Sequence, residues 1–237
     1  MADNILWNYL EELPEQEAAW KEWQHLAGWN RFNTFYTHYL RVDGRRAKRL
    51  NCPVPCEQGY PRQVVESSPS DIKAVCPQNK ADSIQLKFRD ILIYSLRLEA
   101  LHQAICATLQ ISYSPARRTE HENAWHLGDY SGTEVYLTYK TSTLPDTISS
   151  IYLSHQKPFI LMVPTAKSVT QEIQQFIDKN NSALLSMADE LHLQPDGSFK
   201  SVRNIPECIT PCNHKCQQTK NNTTMPIEAY RYLAYNE

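Results

Sequence analysis

Residues 51–77 read NCPVPCEQGYPRQVVESSPSDIKAVCP, the most specific local signal in this 237-residue chain. Within them, 62–66 (RQVVE) and 71–76 (DIKAVC) have the β-branched content of strands. The serine- and proline-rich SSPS between them supplies a turn, so the stretch predicts a β-hairpin. Cys52 and Cys56 flank a short proline-containing turn before the first strand, and Cys76 closes the second.

This arrangement resembles a zinc ribbon, in which cysteines at two turns clamp a small sheet. The resemblance covers about 30 residues and implies a structural metal held by Cys52, Cys56 and Cys76. Tetrahedral zinc takes four ligands, mostly Cys or His. The fourth is open among Asp82, His38 and the C-terminal tail. The first pair is spaced Cys-x3-Cys, and no second cysteine follows Cys76 at once. The tail adds Cys208, Cys212, His214 and Cys216 within nine residues, amid polar neighbours that make a core role hard to sustain. Those seven ligands suit one full site and one three-ligand site, or one mixed site tying the two ends of the chain together. A thiol-rich tail without metal is the bland alternative.

Moving toward the N-terminus, the tract RVDGRRAKR places Arg41, Arg45, Arg46, Lys48 and Arg49 beside the hairpin with a single acid among them. Arg and Lys supply the sequence-independent part of nucleic-acid affinity, so these five are the candidate phosphate contacts. The bland alternative is a solvated turn. Upstream, Trp20, Trp23, Trp29, Phe32 and Phe35 recur at helical spacing, broken near Pro14 and again near Gly28. The stripe reads as core; as exposed anchors it would serve a protein partner instead.

Toward the C-terminus, apolar residues through 84–110 predict a long central helix on which the two halves pack. Cys106, on its apolar side, reads as a small core residue. Residues 114–123 (SPARRTEHEN) read as a linker. The texture then becomes α/β: a strand at 134–139, a helix at 146–155 and the run FILMV at 159–163, apolar on both faces. Ser168 offers a cap for a helix to about Lys179, and ALLS at 183–186 a further strand. Ligands of open parallel sheets collect at the carboxyl ends of strands. Here those ends carry Pro164, Thr165, Lys167, Ser168, Ser186, Asp189 and Glu190, a set suggestive of an anion at a helix N-terminus.

The totals narrow the function classes. A formal net charge of −2 excludes an overall basic, histone-like protein. Six glycines are too scattered for a phosphate-cradling loop. An acidic N-terminus without an apolar segment does not read as a secretory signal, and no apolar run is long enough to span a membrane. Seven cysteines in a cytoplasmic chain read as thiols or metal ligands. Zinc nucleobase deaminases pair His-x-Glu with Pro-Cys-x-x-Cys; here His121 abuts Glu122, and Cys212 and Cys216 stand one residue too far apart.

The expected fold is α+β, with domains at 1–113 and 114–237. The first holds N-terminal helices, the cysteine-bearing hairpin and the central helix; the second is an α/β lobe with a small, mostly parallel sheet and a Cys-rich tail. The expected function is a zinc-containing, non-catalytic binding or regulatory protein in the cytoplasm, associated with nucleic acid through the basic tract and with no membrane partner. One alternative is a metal-dependent hydrolase or nuclease at the carboxyl edge of the sheet, drawing on Glu120, Glu122, Asp129 and Glu134. The other is a protein-interaction adaptor.

Overall fold

The fold is that of a computed structural model, which describes residues 4–26, 28–52, 60–118 and 124–202. The protein is α+β. It comprises two compact units: Leu13–Leu98, and a discontinuous unit formed by Met1–Glu12 with the chain from Glu99 onward. The boundary at 113/114 suggested by the sequence thus falls inside the discontinuous unit, which also claims the first twelve residues. No helix among the described residues is long and apolar enough to cross a membrane.

Helix α1 (Asn4–Glu12) opens the chain and belongs to the discontinuous unit. The inserted unit follows with β1 (Glu17–Ala19), α2 (Trp20–Trp23), α3 (Phe32–Tyr39), β2 (Leu40–Arg46), β3 (Arg49–Leu50), β4 (Arg62–Ser68), β5 (Asp71–Val75), β6 (Ser83–Leu86) and β7 (Leu92–Leu96). Strands β1, β7 and β2 form one antiparallel sheet, in that order; β3, β4, β5 and β6 form a meander. Alternation along β5 sends Ile72 and Ala74 inward and Lys73 outward. Those two residues pack with Ala19, Ala47, Leu50, Leu86 and Ile91. The aromatic stripe is core: Trp20, Trp23 and Trp29 are all buried, and Trp23 Nε1 donates to Tyr94 O at 3.1 Å. An adaptor reading would therefore need anchors other than these tryptophans.

The long helix predicted over 84–110 is a strand, a turn, a second strand and only then a helix. Ile84 and Leu86 pair with Ala74 and Ile72, and Tyr94 lies centrally, opposite Ala18 and Val42. Between the strands, Asp90 accepts from the Lys87 N–H at 2.8 Å and closes a 3-10 turn. Apolar residues at spacings of two and four satisfy both periods. The β-branched Ile93 and aromatic Tyr94 resolve the ambiguity in favour of strand once partners exist on both sides.

The discontinuous unit continues with α4 (Leu98–Thr108), β8 (Ser112–Arg118), β9 (Trp125–Tyr130), β10 (Thr133–Leu137), α5 (Leu144–His155), β11 (Phe159–Val163), α6 (Gln171–Lys179), β12 (Ala183–Ser186), α7 (Met187–Glu190), β13 (Leu191–Leu193) and β14 (Phe199–Ser201). One five-stranded sheet runs β12-β11-β10-β9-β8: three parallel strands continued by two antiparallel ones. The segment expected as a linker supplies β8. Pro115 is tolerated there because β8 is an edge strand, with an irregularity between Tyr113 and Arg117. Gly128, at φ +139° and paired with Tyr113, lets the β8 backbone come close to β9: a Cβ there would lie 2.1 Å from Ser112 O.

Phe159, Leu161 and Val163 of β11 face the core formed with α5 and α6, through Leu144, Ile148, Ile151, Ile173 and Ile177. Alternation sends Ile160 and Met162, equally buried, to the other face. Helix α6 begins two residues later than the Ser168 pattern implied: Thr170 is the N-cap, its hydroxyl accepting from the Ile173 N–H.

Candidate functional site

Pairing of Leu50 with Arg62 and of Gln63 with Val75 brings Cys52 and Cys76 to the two flanks of β4 at Arg62. Arg62 is 4% exposed. Its Nε donates to Cys52 Sγ at 3.4 Å, and its Nη atoms donate to both Asp82 carboxylate oxygens, at 2.7 and 3.1 Å. The Cys76 N–H in turn donates to Asp82 O at 3.0 Å. Asp82 and then Cys52 hold the Arg62 guanidinium charged, and Arg62 lowers the Asp82 carboxyl below its ordinary range.

Asp82, one option for a fourth zinc ligand, is thus the partner of a buried cation. A metal on Cys52 would sit beside that positive charge. His38 is exposed on α3, against Tyr39. Among the described residues no three His, Cys, Asp or Glu side chains assemble as a metal site. Cys56, Cys208, Cys212, His214 and Cys216 lie outside the described residues. A cavity of about 260 Å³ adjoins Arg62, floored by Leu50, Ala74, Ile84 and Leu86. On its rim, the Glu22 carboxylate accepts the backbone N–H groups of Ala19 and Asn51.

The basic tract is β2, β3 and the turn between them, and its five cations divide into two groups. Arg45 is ion-paired to both Glu17 and Asp43, and Arg46 to Glu66 at 2.8 Å. Arg41, Lys48 and Arg49 are exposed and have no ion pair or side-chain hydrogen bond among the described residues. The Arg46 guanidinium also lies 5.1 Å over the ring of Phe88, a half-exposed aromatic that the sequence did not single out. Over Leu13–Leu98 the chain carries thirteen Lys and Arg against nine Asp and Glu, a formal +4 within a protein of −2.

At the carboxyl edge of the parallel strands, the Pro164 carbonyl accepts the Ala188 N–H at 3.0 Å and fixes α7 beside β11. The Thr141 and Thr165 hydroxyls both donate to the Glu11 carboxylate of α1, and Ser168 Oγ donates to Thr141 Oγ1 at 3.2 Å. These hydroxyls therefore anchor α1. Lys167 is exposed and does not line the cavity of about 250 Å³ found here, whose polar wall is Gln174, Ser186, Asp189 and Glu190.

Of the carboxylates considered for a nuclease, the two described ones, Asp129 and Glu134, do not lie at this edge. Asp129 and Glu134 are cross-strand partners at the opposite, amino end of β10. Asp129 accepts the Gly132 N–H in the turn, and Glu134 accepts the Tyr136 hydroxyl at 2.6 Å. Glu120 and Glu122 lie outside the described residues.

Three participants escaped the sequence reading. Glu11 meets partners 130 and 154 residues away, which no local pattern encodes. Arg62 was legible only as a charged residue opening a strand. Gln174 was one polar residue among many on α6. No protein-family model, no curated protein and no solved structure matches the chain.

Proposed function

We propose that the Leu13–Leu98 unit binds single-stranded nucleic acid along β2 and β3, without catalysis. The observation that carries the reading is the trio Arg41 on β2, Lys48 in the turn and Arg49 on β3, all exposed and without an ion pair among the described residues of a net-positive unit. These cations meet phosphates, and Phe88 beside Arg46 offers a ring on which a base stacks. Arg45 is excluded from phosphate contact because Glu17 and Asp43 already engage its guanidinium. Zinc belongs to the proposal as a structural ion on Cys52 and Cys76 with ligands from outside the described residues; elemental analysis of the purified protein beside Cys52→Ser tests it, and absence of zinc removes it.

Fluorescence anisotropy with a labelled oligothymidylate tests the binding. Three single-strand phosphate contacts give a salt slope of about −2, hence roughly a 20-fold loss of affinity between 50 and 200 mM salt. Each of Arg41→Ala, Lys48→Ala and Arg49→Ala flattens the slope by about 0.7, whereas Arg45→Ala leaves it unchanged. Phe88→Ala weakens binding by about 1–3 kcal/mol at every salt concentration. Absence of binding at 50 mM salt, or an equal effect of Arg45→Ala, overturns the proposal.

A further inference from the structure

We infer that the cavity at the carboxyl end of β12 is a binding site for a small organic cation bearing an ammonium or guanidinium group. Its place is the first argument. It opens where the parallel strands β11 and β12 end and α7 begins, the position at which open sheets collect ligands. Its size is the second. About 250 Å³ corresponds to roughly eight waters of liquid, more than a lone metal ion fills and less than a drug-sized pocket.

The walls set the charge of the occupant. Among the described residues of the wall, Asp189 supplies an exposed carboxylate, Gln174 an amide and Ser186 a hydroxyl, and none is a Lys, Arg or His. The anion suggested by the sequence therefore gives way to a cation. Ser186 is 8% exposed, and its buried Oγ has no hydrogen-bond partner among the described residues. A buried hydroxyl without a partner is a vacancy for a hydrogen-bonding ligand or a water it displaces. Val169 and Leu184 offer apolar surface to a short methylene chain. Asp189 is exposed, so it receives the cation at the mouth of the cavity while Ser186 lies deeper.

Isothermal titration calorimetry of the full chain with agmatine and with putrescine, at low ionic strength, tests the site. Saturable one-to-one binding of at least one of them is expected, weakened tenfold or more by Asp189→Asn and by Ser186→Ala. The neutral 1,4-butanediol binds none of the three proteins. Circular dichroism of both variants establishes that they remain folded; Asp189, being exposed, is the variant least able to disturb the fold. The inference is overturned if neither amine binds, if butanediol binds equally well, if Asp189→Asn binds like the parent, or if only magnesium binds.

Discussion

His102 gives the sharpest quantitative expectation. It lies on α4 with no solvent exposure, stacked on Tyr139 at 6.1 Å and packed against Trp125 at 5.5 Å. Neither ring nitrogen has a hydrogen-bond partner among the described residues, so nothing compensates the burial of a proton. Burial accordingly lowers its pKa from 6.5 to about 4. The unfolded chain then binds a proton at a pH where the folded one does not, and stability falls as pH drops from 6.5 toward 4. Over that window the loss is about 3 kcal/mol, with about 2 kcal/mol already gone at pH 5. This is a large share of the 5–15 kcal/mol typical of a folded domain. Its neighbours do not titrate there: burial pushes the Cys106 thiol up to about 12 and the Tyr139 hydroxyl higher still. Urea denaturation of the parent and of His102→Phe, each at pH 7, 5 and 4, measures the difference. Phe keeps an aromatic ring against Tyr139 and removes the titrating group, and acid effects on surface carboxylates cancel between the two proteins. The parent should lose about 3 kcal/mol more than the variant by pH 4. Parallel acid curves would refute the reasoning.

Gly128→Ala places a Cβ 2.1 Å from Ser112 O at a φ that L side chains rarely adopt, and should cost about 3 kcal/mol in thermal or urea unfolding. A neutral result would mean that the Ser112 carbonyl of β8 does not approach Gly128 as closely as described. Thr165→Val removes one of the two hydroxyls that donate to Glu11 and should destabilise by about 2 kcal/mol. Combined with Thr141→Val, the effect should depart from additivity, because both hydroxyls serve the same carboxylate; strict additivity would separate them.

What the sequence disclosed was whatever a short window encodes. FILMV became β11 over the same five residues, because a strand buried on both faces needs no polar alternation to announce it. ALLS and the hairpin strands at Arg62 and Asp71 were legible for similar reasons. Residues 84–110 failed because two alternating strands flanking a turn mimic an amphipathic helix. Residues 114–118 failed because polar side chains suit an edge strand as well as a linker. At the site level, the basic tract was visible as composition. Which cations are free within it was not, since Glu17 and Glu66 reach Arg45 and Arg46 across 28 and 20 residues.

The division of the chain into an inserted and a discontinuous unit also sets an order of events during synthesis. The inserted unit has all its residues once Leu98 is made, and pairing of Glu17 with Ser95 closes its entrance on its exit. Helix α1, although made before the inserted unit, has no complete anchor until Thr165 follows Glu11 by 154 residues. At about 5–20 residues per second that is a wait of roughly 8–30 s. During this interval the buried Leu6, Trp7 and Leu10 lack their final surroundings. Helix α1 is therefore a part of the nascent chain with a long claim on a chaperone.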